Sequence, residues 1–478
     1  MKARISLFGI ALLLLCSVFL GSCRQQERPP QDTAPTETKE EYMSYLNTLP
    51  ENTYGYDELR ALAFETNCIS DTLEDSASDV DQALVERDRT VENRYGVDIV
   101  YSPVTAKTAV STMRQSVTSG DNTYNVFLYQ AQELMSIATE NCLQNLWDIA
   151  NMDLTQEWWN QSFNQNLELN GKLFCTAGQY SQWYFGAPAC MAYNKNFATN
   201  YNITDIDDLV DSGEWTMEEM HRICTEQNIT IDWDSNGVMN ENDIYAIAVY
   251  SPVLYGLFAG AGGNFSTLDA NGNIQVDISD NLSIQRLDSI INVFNSSTSF
   301  YSDLIAEVEE VFINNRSLFF YATLGFMADF LNVDFDYGIL PTPKFNSSQE
   351  EYISCANPQS NFCLGVPYGL SKEESDFVGL ILEAYNYTSS VLVKPEKYDS
   401  FMKYRVANDP ASSARLDQMF ESLYFDMNLV MDFGDTRTLI NKTIFNETTN
   451  RYVSSVRASQ ALIESDIEKL IGVTQSPS

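Results

Sequence analysis

The residues best suited by type and spacing to hold an ion are Asp232-Trp233-Asp234-Ser235-Asn236-Gly237-Val238-Met239-Asn240-Glu241-Asn242-Asp243. Asp232, Asp234 and Asn236 offer side-chain oxygens at loop positions 1, 3 and 5. Gly237 permits the sharp turn at position 6, the Val238 carbonyl serves at 7, and Asp243 stands at 12. That is the oxygen set of a calcium loop, with Asp where Glu is usual; dockerin-like loops also use Asp there. Calcium held this way would brace the loop rather than activate a water. Asp-rich turns of this kind also occur without metal.

Catalytic chemistry finds less support. His221 is the single histidine. A Ser/His/Asp triad could be built only around it, and no Gly-x-Ser-x-Gly elbow is present. There is no Walker A sequence and no Gly-x-Gly-x-x-Gly after a strand. The 66 acidic residues leave a glycosidase pair open, yet no spacing nominates one.

Aromatic residues are more telling, with 26 Tyr, 26 Phe and 6 Trp making up 12% of the chain. Sugar rings present apolar C–H faces and a rim of hydroxyls, so their sites need aromatic platforms with amide and carboxylate partners. Tyr129 and Gln130 at a strand end, Tyr180 and Trp183 in an open aromatic run, Tyr255, and Tyr321 and Thr323 after a strand combine both kinds. Ordinary core packing is the alternative for each of them. Position decides, because ligands of open α/β sheets bind beyond the carboxyl ends of strands.

The elements that would place these residues can be read from periodicity. Val80, Leu84, Val91 and Tyr95 mark a helix from about Asp79 that Gly96 stops. Residues 97–101 alternate as a strand, Ala109 to Val117 form a helix face, and Val126 to Tyr129 form a short strand, which together make a βαβ unit. Asn170-Gly171 favours a type I′ turn between Leu167-Glu168-Leu169 and Lys172-Leu173-Phe174-Cys175. The aromatic run Gly178 to Gly186 follows, then an apolar strand ending at Asn194-Lys195. Thr216 is set as N-cap of a helix Met217 to Gln227, with Glu219 three residues on. Helical patterns around Leu282 to Phe294 and Leu304 to Ile313 precede a strand at Leu318 to Tyr321.

The order of several short motifs is similar to that of extracellular solute-binding proteins of ABC importers, the family of maltose-binding proteins. They are Val126-Phe127-Leu128-Tyr129, Asn170-Gly171-Lys172-Leu173-Phe174, Met191-Ala192-Tyr193-Asn194-Lys195, Gly213-Glu214-Trp215-Thr216, the Asp232 loop, and Tyr337-Gly338-Ile339-Leu340-Pro341-Thr342-Pro343-Lys344. The match covers Val80 to Lys344 well and weakens beyond. The resemblance implies an α/β protein of two hinged lobes, type II in kind, with mixed sheets flanked by helices. It places one lobe at 53–178 plus 341–392 and the other at 179–340 plus 393–472. It implies capture of a solute, expected to be an oligosaccharide, by a monomer that delivers it to ABC permease subunits, with no enzymatic step and no required cofactor. A glycan hydrolase and a ligand-sensing receptor not coupled to transport are the alternatives.

The start of the chain supports an extracytoplasmic place. Lys2 and Arg4 precede an apolar run from Ile5 to Leu20, and Leu20-Gly21-Ser22-Cys23 resembles a bacterial lipobox in which Cys23 takes lipid after removal of residues 1–22. The apolar run is too short to span a bilayer. Residues 23–52 are rich in Pro, Thr, Gln and Glu and read as a spacer. The expected location is the outer face of the cytoplasmic membrane, held by the lipid. The net charge of −38 becomes −40 without residues 1–22, which disfavours nucleic acid. Of nine cysteines, seven remain after Cys16 and Cys23. Cys68, Cys142, Cys175, Cys190 and Cys224 read as buried thiols, and Cys355 and Cys363 are close enough in sequence for a loop disulfide.

Overall fold

The strand Ser317–Thr323 shows how the second half of the chain is built, since all seven residues are buried. Phe319 and Tyr321 pack on one face with Met191 and Trp215, while Phe320 and Ala322 pack on the other with Phe312 and Phe330. Apolar residues at five successive positions, Leu318 to Ala322, therefore mean a strand covered on both faces, not a helix. The computed structural model describes residues 44–64, 73, 76–359 and 362–475. Cys23, Cys68 and the spacer up to residue 43 lie outside the described residues.

The strands are β1 Glu58–Phe64, β2 Asp98–Val104, β3 Val126–Gln130, β4 Ala189–Asn194, β5 Tyr245–Tyr250, β6 Thr267–Leu268, β7 Ile274–Gln275, β8 Ser299–Ser302, β9 Ser317–Thr323, β10 Tyr337–Leu340, β11 Ser354–Cys355, β12 Phe362–Gly365 and β13 Leu423–Tyr424. One sheet has the order β12-β3-β1-β2 and the other β10-β4-β9-β5-β8. In the first, β1 runs parallel to β2 and β3, and β12 lies antiparallel to β3. In the second, β5 runs parallel to β8 and β9, and β4 lies antiparallel to β9. Both sheets thus place one strand, β1 or β5, between two parallel neighbours and add an antiparallel strand, β12 or β4, that enters from the other lobe. Helices flank both. The two-lobe α/β fold expected from the sequence is the one observed.

Local signals explain the framing elements. The helix Asp79–Tyr95 starts where the Ser78 side chain accepts from the Asp81 N–H and stops at Gly96, whose φ of 63° is left-handed. Thr216 accepts from the Glu219 N–H and opens Met217–Glu226. Asn170 and Gly171 have φ of 55° and 74°, as a type I′ turn needs. The flanking residues make only a single bridge, Leu169 to Lys172, and Leu167 ends a helix, so no hairpin strands form there.

At the seam between lobes, segments from several parts of the chain meet. Tyr180 packs in the first core, Tyr352 and Cys355 pack in the second, and Leu423 to Phe433 contribute again to the first. The helix Tyr452–Gln475 buries Tyr452 and Val456 in the second core and Ile463, Leu470 and Val473 in the first. Cys142, Cys175, Cys190, Cys224, Cys355 and Cys363 are buried thiols, so the loop disulfide between Cys355 and Cys363 is not formed.

A fully buried carboxylate organises the first lobe. Glu383, 0% exposed, accepts from the Tyr45 hydroxyl at 2.8 Å, the Trp158 and Trp159 indoles at 3.1 and 3.0 Å, and the Asp153 N–H at 3.1 Å. Tyr45 itself sits between Trp158 and Tyr387, with ring centroids 4.7 and 4.5 Å away. Burial outweighs the donors and pushes Glu383 from its ordinary 4.5 up to about 7. Folding raises this proton affinity, so the group's contribution to stability is full below about 4.5 and is lost as pH rises through about 7. Between about pH 5 and pH 8 the wild type should lose about 3 kcal/mol more stability than Glu383→Gln. Urea unfolding across that range checks it, and equal losses in both proteins would remove Glu383 as the cause.

Candidate functional site

The carboxyl ends of the parallel strands in the two sheets are tied to each other by the crossing segments. Pro188, just before β4, bridges antiparallel to Ala356, and the Asn357 N–H donates to the Ala187 carbonyl at 3.1 Å. Around this seam the strand ends carry aromatic rings. On the first sheet, Phe64 ends β1 and stacks on Phe362 at the start of β12, 5.4 Å between centroids and 28° between planes. Trp183 lies 6.3 Å from Phe362 and is 39% exposed. Tyr129 packs edge-on against Phe64 from below, and Gln130 is half-buried at the end of β3. On the second sheet, half-buried Tyr250 ends β5 and meets Phe326, 5.5 Å away, on the turn of helix after β9.

Amide and guanidinium groups gather at the seam. The Tyr255 hydroxyl donates to Asn357 Oδ1 at 2.7 Å, and Asn441 Oδ1 accepts from the Tyr255 N–H. Arg437 donates to the Leu429 carbonyl and to Gln132 Oε1, both at 2.9 Å, and so reaches from the second lobe's helix to the first lobe's. Its guanidinium also lies 5.5 Å from the Tyr255 ring. Burial pushes the neighbouring Glu133 carboxyl up, and Arg437 opposes the shift. The arrangement presents apolar ring faces with amides between them. It offers a place for a ligand with apolar faces and polar edges.

The seven expected ligand residues separate on burial. Trp183 and Gln130 reach the rim. Tyr129 and Thr323 sit at the right strand ends but are 1% and 2% exposed, so they support it from beneath. Tyr180 is a core residue whose hydroxyl donates to the Thr176 and Phe362 carbonyls at 3.0 and 3.1 Å. Tyr321 is 0% exposed beneath Phe294, against backbone that only Gly256 allows that close. Tyr255 is buried and acts through Asn357. Phe64, Phe362, Tyr250, Phe326, Asn357 and Arg437 were not marked by the sequence; Tyr250 alone carried a signal, as the last residue of an apolar strand. His221 lies on a helix surface with Nδ1 2.9 Å from the Asn292 carbonyl, away from the seam.

The acidic loop closes as its spacing implies. Carboxylate oxygens of Asp232, Asp234 and Asp243 lie within 4.8 Å of one another. Asp232 accepts from the Asn236 and Gly237 N–H groups at 3.2 and 2.7 Å, and Gly237 has φ of 81°. Asn236 Oδ1 accepts from the Val238 N–H at 2.7 Å, and buried Asp243 accepts from Trp233 and Asn240 N–H groups at 2.8 Å. An antiparallel bridge between Ile231 and Ile244 pins the loop ends.

No protein-family model and no curated protein matches the sequence. Solved structures do match, over nearly their whole length. The cyclic α-maltosyl-1,6-maltose binding protein of Arthrobacter globiformis is 14% identical, with a TM-score of 0.59 over 87% of this chain and 100% of that one. The chain has the fold of ABC substrate-binding proteins. The Listeria monocytogenes protein bound to cycloalternan is 13% identical, TM-score 0.53, covering 87% and 99%. UgpB of Mycobacterium tuberculosis, in complex with glycerophosphocholine, is 14% identical, TM-score 0.59, covering 87% and 100%.

Burial separates rim from core in a way that urea unfolding can read. Trp183→Ala should cost less than about 1 kcal/mol, whereas Tyr321→Ala should cost about 3 to 5 kcal/mol. Comparable losses would place Trp183 in the core.

Proposed function

We propose that the protein captures a neutral oligosaccharide between its lobes and delivers it, uncleaved, to ABC permease subunits. The observation that carries this is the pair of aromatic clusters, Phe64-Phe362-Trp183 and Tyr250-Phe326, one at the strand ends of each sheet, with Asn357 and Asn441 held at the seam by Tyr255. Each face of a sugar ring can rest on an aromatic ring while its hydroxyls bond the amides. The fold supports the reading, because solved proteins that share it are described with cycloalternan and with a cyclic maltosyl-maltose. Closure around a ligand would then give a permease a shape that the empty protein lacks. In this reading the protein is a monomer held outside the cytoplasmic membrane by lipid on Cys23. Among the described residues no helix is long and apolar enough to cross a membrane.

A second reading concerns the acidic loop. The convergence of Asp232, Asp234 and Asp243 favours a calcium ion there, with Asn236 and the Val238 carbonyl as further ligands. Its role would be structural, since the loop lies on the second lobe and holds no reacting group.

The full chain, expressed with its leader and extracted from membranes, serves the main reading twice. Its N-terminal peptide should carry acyl mass on Cys23. A neutral glycan from a panel containing maltotriose, maltotetraose and cycloalternan should raise its melting temperature and be recovered intact. For that glycan, Trp183→Ala should weaken binding about fivefold to hundredfold by calorimetry. Hydrolysis of the glycan would favour the hydrolase alternative, and a shift only with glycerophosphocholine would exclude a sugar ligand. For the loop, chelator should lower the melting temperature of the wild type by several degrees and leave Asp232→Ala unchanged. Identical curves for the wild type in chelator and in excess calcium would remove the metal.

A further inference from the structure

Beside the first aromatic rim lies a small void. Leu84 and Arg87 of the helix Asp79–Tyr95 wall it on one side, and Leu128 of β3 and Phe362 of β12 on the other. The centre of a water molecule can range over about 20 Å³ within it, which suits one water or one small substituent and excludes a sugar ring. The void is not sealed. Every residue that lines it is buried except half-buried Gln182, so its mouth lies there, directly before exposed Trp183 in the chain. Phe362 belongs to the void and to the rim at once, 6.3 Å from the Trp183 ring.

The polar groups of the lining differ in how well they are satisfied. Arg87, 1% exposed, donates from Nε to Asp88 Oδ1 at 2.7 Å and from Nη1 to the Tyr180 carbonyl at 2.9 Å, and its guanidinium lies 3.9 Å from the centre of the Tyr385 ring. Asp88 balances its charge and accepts in turn from the Tyr101 hydroxyl at 2.8 Å. That wall is therefore rigid and electrically neutral as a unit. Ser181 is different. It is 5% exposed, and among the described residues its hydroxyl has no hydrogen-bond partner, whereas the Tyr180 hydroxyl beside it in the chain donates to two carbonyls. A buried hydroxyl without a partner is costly. One that borders an open void next to an aromatic rim is placed to take its partner from outside the protein.

We propose that the void is a subsite for the exocyclic hydroxymethyl group of a hexopyranose resting on Phe362 and Trp183, with the Ser181 hydroxyl as its hydrogen-bond partner. The inference rests on the sugar capture of the proposed function and adds which sugars are captured, those built of hexoses rather than pentoses. A ring hydroxyl sits directly on the ring and cannot enter unless the ring follows, whereas the hydroxymethyl carbon adds one bond of reach. Its methylene meets Leu84 and Leu128. Its hydroxyl both donates and accepts, as the serine hydroxyl does. A carboxylate in the same place would only accept, and it would find Arg87 already paired with Asp88.

Calorimetry on the full folded chain with two matched pairs of sugars tests the subsite. Cellotriose is set against xylotriose, which lacks only the hydroxymethyl groups, and maltotriose against its 6-deoxy form, which lacks only their hydroxyls. In a pair that binds, the sugar with the complete group should bind roughly tenfold tighter. Ser181→Ala should reduce that ratio to about threefold or less and leave the affinity of the lacking sugar unchanged. Ser181→Val, whose methyl groups occupy the void, should abolish the ratio. Because the hydroxyl bonds nothing in the ligand-free protein, Ser181→Ala should keep or raise the melting temperature measured without sugar. A fall would assign the hydroxyl a structural bond and overturn the subsite. Equal affinities within each pair, or a ratio that Ser181→Ala does not change, would show that the void holds a water only, and would overturn the subsite while leaving sugar capture intact. Failure of all four sugars to bind would also overturn the subsite, and a silent glycan panel beside it would overturn sugar capture as well.

Discussion

The pairing of β12 with β3 is the interaction on which the rest depends. Phe362 faces Gln130 and Gly365 faces Phe127, across just under half of the chain, an excursion that includes the second lobe's sheet. Closing so long an excursion costs little more than closing a short one, because the entropy grows only with the logarithm of length. The ladder therefore needs few bonds to hold, and Thr176 adds to them by bridging Leu364 on β12. Since β12 arrives from the other lobe it runs antiparallel to its neighbour, as β4 does in the second sheet. That arrival sets Phe362 beside Phe64 and Trp183 and so creates the first aromatic rim.

What the sequence made legible was local. Helix 79–95 carries its own cap and stop, Asn170-Gly171 its own turn, and the Asp232 loop its own spacing; each is decided within a dozen residues. The strand β1 escaped notice because Leu-Arg-Ala-Leu-Ala-Phe has neither alternation nor β-branched residues, and only its parallel neighbours on both sides make it a strand. The site was half legible for the same reason. Tyr180 and Trp183 stand three residues apart in one aromatic run, yet one ring turns into the core and the other to the surface. Nothing short of the contact with Phe362 distinguishes them. The lobe boundaries after Lys344 were least legible, since the helix 452–475 and the segment 423–433 lie on the seam and serve both cores.

Charge and site are separated in this molecule. The chain carries −38, while the rims are aromatic and the base is amide. The guanidinium described there, Arg437, already bonds the Leu429 carbonyl and Gln132 and is ion-paired with buried Asp432 at 3.5 Å. An anionic ligand would meet long-range repulsion on approach and a partly satisfied cation on arrival. A neutral ligand meets neither, and its affinity would depend little on salt.

The two rims also constrain what can drive closure. A ligand shifts the equilibrium between open and closed forms only by its differential affinity for them, so one that rests on Trp183 and Phe362 alone would bind without closing anything. Phe64, Phe362 and Trp183 belong to the first sheet, and Tyr250 and Phe326 to the second. A closing ligand must touch both sets at once. A flat aromatic compound could do so, but it brings no ring of hydroxyls to bond the polar groups of the seam. A pyranose has an apolar face on each side and hydroxyls around its edge. It would rest on both rims and bond the amides together, as the proposed function requires.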